Sequence, residues 1–214
     1  MELGDAFFFI GGGLAVTFRL LIGGFILGIS LGTAIAIARQ RGKVGKNFAT
    51  AYVSIIRGTP LLLQLGIIYF SFPGLLGIRL GIIGAGILAF GVNSSAYVSE
   101  ILRSGIESIP KGQMEAAKTL KIPRFYMWKD IILPQVMARI FPAMVGEVIA
   151  LLKETALIAT IGGADLMRKS QMFAAEKFNY FIPLCIAGLY YYAIVLSIEW
   201  GARKLERKMV HAKG

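Results

Sequence analysis

Three ionisable side chains, Glu147, Lys153 and Glu154, stand inside an otherwise apolar run from Ile140 to Ile161. Charge in such a setting is expensive, so it marks either a ligand path or a buried ion pair. Glu147 and Glu154 are seven residues apart, two helical turns, and share one helix face. Together they suit a cationic ligand group. The alternative is that one of them neutralises Arg57 or Arg19. Lys153 points elsewhere, towards a neighbour or the interface. Covalent catalysis has little to work with. His211, the only histidine, lies in the C-terminal tail, and Cys185, the only cysteine, lies in an apolar stretch. No His-based triad, disulfide framework or thiolate metal site fits one chain.

The elements that carry these residues are hydrophobic and long. The chain has 214 residues, 56% of them hydrophobic, and a mean hydropathy of +0.69. Soluble domains sit nearer 45–50% apolar by the usual estimate of about half. Five segments carry the excess: Leu14 to Ala38, Tyr52 to Phe72, Leu80 to Leu102, Ile140 to Ile161 and Phe181 to Ala202. Each is long enough to cross a bilayer as a helix, and lipid permits only helices or closed barrels. The acidic start, Met1-Glu2-Leu3-Gly4-Asp5, lacks the basic region of a signal peptide, so the first segment is expected to stay in the mature chain.

A net charge of +11 could suit nucleic acid in a soluble protein. Here the placement of charge decides. Arg39, Arg41, Lys43 and Lys46 follow the first segment. Arg103, Lys111, Lys118, Lys121, Arg124, Lys129 and Arg139 fill the stretch between the third and fourth. Arg203, Lys204, Arg207, Lys208 and Lys213 form the tail. The opposite set holds only Arg79, Arg168, Lys169 and Lys177, partly offset by Asp165 and Glu176. Basic loops stay in the cytoplasm, so the N-terminus is predicted outside and the C-terminus inside. An odd number of spans follows, in agreement with five. No nucleic-acid partner is expected.

Within the spans, Gly24, Gly28 and Gly32 repeat every four residues. They let a second backbone approach, either within the chain or in another subunit. Gly81, Gly84 and Gly86 leave the same choice. Arg57-Gly58-Thr59-Pro60 interrupts the second segment, because Pro60 lacks an N–H and disfavours helix at Thr59. A break at that depth is tolerated where it faces protein or a water-filled path. Thr59 and Gln64 beside the break, and Asn93 in the third segment, therefore join Glu147, Lys153 and Glu154 as candidate substrate-binding residues. Asn93, Ser94 and Ser95 can also glue helices together. Tyr190-Tyr191-Tyr192 and Trp200 suit an aromatic belt, and the basic tail suits a headgroup anchor.

The stretch 103–139 is too patterned for a simple connector. Pro110 and Gly112 punctuate it. Gln113 to Lys121 reads as a short helix with Met114, Ala117 and Leu120 on a semi-apolar face, stopped by Pro123. Phe125 to Ile132 resumes a helical pattern that ends before Pro134. Small Ala116 and Ala117 would let this helix lie against another protein.

This stretch resembles the signature loop of membrane subunits of ATP-binding-cassette importers: Glu-Ala-Ala, three residues, Gly, nine residues, Ile, any residue, Leu-Pro. It begins at Glu115-Ala116-Ala117 and closes at Ile131-Ile132-Leu133-Pro134. One position departs, since Lys121 stands where the family usually has glycine. Lysine takes a positive φ less readily, so the turn differs or the position carries strain. Arg57 to Leu65, the run from Ala96-Tyr97 to Gly112-Gln113, and Lys153-Glu154-Thr155-Ala156-Leu157 are similar to further motifs of the polar amino-acid branch, the histidine, glutamine and arginine permeases of type I importers. The last has Glu for Asp and Ala for Ser.

The resemblance implies an all-α integral membrane subunit of five transmembrane helices in a bacterial cytoplasmic (inner) membrane. Residues 103–139 would carry a coupling helix whose Gly112, Glu115, Ala116, Ala117 and Leu120 dock an ATPase. Two ATPase copies, a second permease subunit (identical or homologous) and an extracytoplasmic substrate-binding protein are the implied partners. ATP and Mg would be bound by the partner, since no Gly-x-x-x-x-Gly-Lys-Ser/Thr loop occurs here. The chain itself is then not an enzyme and needs no cofactor or metal. The two glutamates favour a basic or polar amino acid: arginine, lysine, ornithine, histidine or glutamine. An ion-coupled carrier or channel is the alternative, although no inverted repeat relates the halves.

Overall fold

The computed structural model describes residues 3–211, and side chains to Arg207. The tail residues Lys208, His211 and Lys213 and the first two N-terminal residues lie outside the described side chains. Nine helices organise the described residues: α1 Leu3–Gly11, α2 Leu14–Arg39, α3 Lys43–Gly58, α4 Leu61–Leu76, α5 Ile82–Glu107, α6 Lys111–Thr119, α7 Leu133–Glu154, α8 Leu166–Lys177 and α9 Phe181–His211. Short helical turns at Arg124–Tyr126 and Met127–Ile132 lead into α7, and a 3₁₀ segment, Thr155–Ile161, leaves it.

Three stretches are long and apolar enough to cross a membrane: 3–39, which joins α1 and α2, then α5 and α9. The bent pair α3–α4 would make a fourth. The predicted fourth segment, Ile140 to Ile161, starts earlier than expected. Its α-helix is Leu133–Glu154, 22 residues or about 33 Å at 1.5 Å per residue. Pro134 does not stop it, because it stands in the first turn of this α-helix, where proline is tolerated; a π-type turn over Met127–Ile132 leads into it.

Helix α5 is the centre of the bundle. In its most apolar window 61% of residues are buried within the chain, against 17% for α9, so α9 turns most of its surface to lipid or to another subunit. The α2–α5 contact is the most extensive in the fold, and glycine makes it possible. A Cβ on Gly28 would lie 2.8 Å from Ser94 Oγ, and one on Gly32 would lie 2.8 Å from the Ser95 carbonyl oxygen. The Gly24-Gly28-Gly32 stripe is therefore spent inside the chain. Gly86 packs likewise against Leu20 and Ile158, whereas Gly81 meets nothing.

The second segment is broken at the predicted place. Helix α3 ends at Gly58, Thr59 is extended (φ −118°, ψ 142°) and α4 starts at Leu61, with a bend of 99° between them. The proline reading located the break, but the helix before it begins nine residues before the predicted Tyr52, inside the basic loop. Two elements, α1 and α8, escaped the sequence reading. Helix α1 packs Ala6 and Ile10 against Leu166 and Phe173 of α8 and Ile186 and Ala187 of α9, closing one end of the bundle. Tyr190 and Tyr191 serve that end rather than a belt: their hydroxyls donate to the Phe7 carbonyl and to Asp165 Oδ2, both at 3.0 Å. Tyr192 and Trp200 are exposed, as a belt requires.

Gly32→Val should destabilise the chain by about 1–3 kcal/mol through overpacking, seen as a lower thermal midpoint in detergent. Gly58→Ala, at a site where a Cβ meets nothing within 4 Å, should leave the midpoint nearly unchanged.

Candidate functional site: a polar seam and an exposed short helix

The buried polar residues of α5 form a seam. Asn93, Ser94 and Ser95 are all buried, and each is bonded to a different neighbour. Asn93 Nδ2 donates to Gln64 Oε1 of α4 at 3.3 Å. Ser94 Oγ donates to Glu147 Oε1 of α7 at 2.6 Å. Ser95 Oγ shares a hydrogen bond with the Tyr52 hydroxyl of α3 at 2.7 Å. The helix-glue role expected for these residues is what the packing shows.

Gln64 does more than bridge. Its Nε2 donates to the Ile56 carbonyl (2.9 Å), the Thr59 carbonyl (3.2 Å) and Thr59 Oγ1 (2.9 Å). The Thr59 hydroxyl in turn donates to the Ile55 carbonyl at 2.9 Å. Pro60 frees the carbonyls at the end of α3, and a backbone group left unpaired in an apolar medium costs several kcal/mol, about 4–8 on the harshest scale. The Gln64 amide supplies the missing donors. Thr59, Gln64 and Asn93, three of the predicted substrate-binding residues, are thus one hydrogen-bonded unit at the break.

The predicted carboxylates separate by environment. Glu147 is buried against Ser94, and neither Arg57 nor Arg19 pairs with it: Arg57 stacks its guanidinium carbon 5.0 Å from the Tyr97 ring centre, and Arg19 is exposed. Glu154, the last residue of α7, is half-buried and close enough to Glu147 and Lys153 to feel their charges. Lys153 is exposed and lines a separate cleft with Met167, Leu184 and Tyr191. Outside the spans, Asp165 is fully buried and caps α8 by accepting from the Arg168 N–H at 2.8 Å. Burial raises its carboxyl above the ordinary value, and the hydrogen bonds from Arg168 and Tyr191 oppose that shift.

The stretch predicted to dock a partner is built on its own apolar cluster. Ile109, Ala117, Met127, Ile132, Val136 and Ile140 are buried together under α6. Of the five residues predicted for coupling, Gly112, Glu115, Ala116 and Leu120 are exposed, while Ala117 faces inward and anchors the helix. Leu120 is 73% exposed, with Phe125 at 67% and Tyr126 at 53% beside it in sequence. The two aromatic residues belong to the exposed surface and were missed. Their occurrence in a basic loop, where nothing in the chain needs them, was the available signal.

One polar tie fixes α6 to α7, and a second fixes α7 to the end of α5. Gln113 and Gln135 exchange amide hydrogen bonds at 3.1 and 2.8 Å. The Arg139 guanidinium donates to the Ser108 carbonyl and, at 3.0 Å, to its hydroxyl.

The glycine position of the loop motif is resolved by geometry. Lys121 adopts φ +56°, so the turn is kept and lysine carries the strain. The Ile122 N–H donates to the Ala117 carbonyl (3.0 Å) and the Lys121 N–H to the Lys118 carbonyl (2.9 Å), the paired bonds of a Schellman cap.

A chain with these features matches the family model described as binding-protein-dependent transport system inner membrane component over residues 13–211, and it belongs to that family. Curated relatives include amino-acid transport permeases. It is 47% identical over 204 residues to the putative glutamine transport system permease protein GlnP of Rickettsia conorii, covering 95% of this chain and 94% of the relative. It is 43% identical over 202 residues to the arginine transport system permease protein ArtQ of Bacillus subtilis, covering 94% and 92%. Among solved structures, an amino acid ABC transporter crystallised with histidines superposes with a TM-score of 0.86 at 35% identity, covering 94% of each chain. The protein is accordingly a permease of the amino-acid ABC transporter type.

Lys121→Gly should remove the left-handed penalty of a side chain, worth about 1 kcal/mol after allowance for the freer unfolded chain. The thermal midpoint of the purified chain should rise by about 2–4 °C.

Proposed function

We propose that this chain forms half of the translocation path of an ATP-driven importer for a basic or polar amino acid, with five spans, the N-terminus outside and the C-terminus cytoplasmic. The charge asymmetry of the loops supports that orientation. It puts α6 and the exposed Leu120, Phe125 and Tyr126 on the cytoplasmic side, where two ATPase subunits supply hydrolysis. A second permease subunit completes the path, and an external binding protein delivers the substrate. The α3–α4 pair serves as the broken second span. The bacterial inner membrane is the matching location.

One observation carries this reading. Helix α6 is a short helix whose inner side, Met114 and Ala117, packs on residues of α5 and α7, while small Gly112 and Ala116 stand exposed among Lys111, Glu115, Lys118 and Thr119, with Leu120 exposed just beyond its end. At Gly112 an added Cβ would meet nothing within 4 Å of this chain, so that glycine is not needed for internal packing and leaves room for a partner. Glu154 is the best candidate for the substrate ammonium, being half-buried where Glu147 is committed to Ser94. The ion-coupled alternative gains no support from these features.

Reconstitution tests this directly. Vesicles holding the chain, its ATPase and its binding protein should take up glutamine or a cationic amino acid only with ATP. Uptake driven by an ion gradient alone would sink the proposal. In such vesicles Glu154→Gln should lower uptake of a cationic substrate about tenfold, the value of one lost charge-assisted bond, with assembly intact. Ala116→Asp places a charge in the docked surface. It should cut substrate-stimulated hydrolysis about tenfold or more, since an unpaired buried charge costs about 2–5 kcal/mol.

A further inference from the structure

A cavity of about 410 Å³ opens between the end of α3, the last three turns of α5 and the first half of α7. Its volume falls within the range of small-molecule sites, about 300–1,000 Å³. Three arginines, one from each helix, line it: Arg57, Arg103 and Arg139. Glu100 is the only carboxylate on its wall.

The partners of these groups determine what the cavity can hold. Glu100 is already committed. It accepts from Arg103 Nε at 3.0 Å and Nη2 at 2.7 Å, and it pairs with Arg39, which lies outside the cavity. Arg103 is further shared with Glu107 at 2.5 Å. Arg139 is tied to the neutral oxygens of Ser108. Arg57 is held by the face of Tyr97, an arrangement that orients the guanidinium plane and leaves its N–H edge unspent. Two guanidinium groups without a carboxylate partner therefore line one cavity, one from α3 and one from α7. Planar N–H forks of this kind recognise carboxylate or phosphate oxygens.

We propose that this cavity is an oxyanion site, and that its occupant is the carboxylate of the transported amino acid at an exit station. The identity of that occupant rests on the importer reading above. In that topology the site sits at the cytoplasmic half of α5, beyond the seam that holds Glu147 and beside the docking helix. A zwitterionic substrate would thus meet carboxylate oxygens at Glu154 and guanidinium groups on leaving. A phospholipid phosphate shares the same chemistry and is the competing source.

The test is arginine-selective phenylglyoxal labelling of the full chain in lipid nanodiscs, read residue by residue by mass spectrometry. In discs of neutral phosphatidylcholine, saturating L-glutamine should slow modification of Arg57 and Arg139 about tenfold by mass action. L-Glutaminamide, which lacks the carboxylate, should not, and remote Arg203 should be unaffected. Arg57→Lys keeps the charge without the fork and should lose most of the protection at Arg139. Protection by phosphatidylglycerol discs that glutamine does not add to would overturn the exit assignment in favour of a headgroup site. No protection by either would overturn the oxyanion site itself. Labelling requires no ATPase, so a wild-type chain that is protected yet imports no amino acid in vesicles would leave the site standing and remove the importer reading.

Discussion

A single carbon atom added to Gly32 would collide with the Ser95 carbonyl oxygen, and one added to Gly28 would collide with Ser94. The close approach of α2 to α5 is the constraint on which the other arrangements rest. In lipid, apolar surface gains little from burial against other apolar surface, so helices are held by fit and by polar bonds between them. Glycine supplies the fit here. It also brings the α5 backbone so near α2 that the polar residues of α5 have few directions left in which to find partners. Ser94 turns to Glu147, Ser95 to Tyr52, and Asn93 to Gln64. One tight pair of helices therefore dictates where α3, α4 and α7 attach. Among the described residues no fully buried side-chain polar atom is left without a partner, as the cost of orphaned groups in such a medium requires.

The break at Thr59-Pro60 depends on the same economy. A 99° bend exposes carbonyls that a continuous helix would have satisfied. The Gln64 amide returns to Ile56 and Thr59, and its own oxygen accepts from Asn93. The bend is therefore fastened to α5, and a movement of α5 relative to α3 must either carry the break with it or open this cluster. The polar residues that read as ligand groups in the sequence hold the irregular backbone of the break in shape. Contact with a substrate would compete with those bonds.

How much was legible followed from the range of the interaction concerned. Pro60 announces its break locally, because a missing N–H acts on its own turn. The Lys121 anomaly was equally local: the motif's spacing fixed the position, and the turn's geometry kept its positive φ whatever the side chain. The partner of Glu147 was not legible, since Ser94 is fifty-three residues away and nothing in α7 distinguishes a serine from an arginine across a helix crossing. Helix α1 was missed because nine residues are too few to read as a span, and Asp165 because a capping carboxylate in a loop resembles any other. The three arginines of the cavity were each visible as loop or span-end charges. Only the convergence of three helices makes them neighbours.

That convergence bears on how force would pass from the docking helix. Helix α6 is bonded to α7 through Gln113 and Gln135, and Arg139 of α7 is bonded to Ser108 at the end of α5. Beneath them lies one apolar cluster with members from α5, α6 and α7, including Ile106, Ala117 and Ile140. At Gly105 the α5–α7 crossing has no slack, because a Cβ would sit 2.1 Å from the Ile140 side chain. Close-packed elements of this kind move together rather than deform. A push on α6 therefore displaces the C-terminal end of α5 and the start of α7 as one body. Arg57 belongs to α3 and is tied to that body only by its contact with Tyr97, a weaker joint than the hydrogen bonds around it. The cavity between Arg57 and Arg139 is thus where relative motion would be taken up. Its arginines would close on, or part from, whatever anion lies between them.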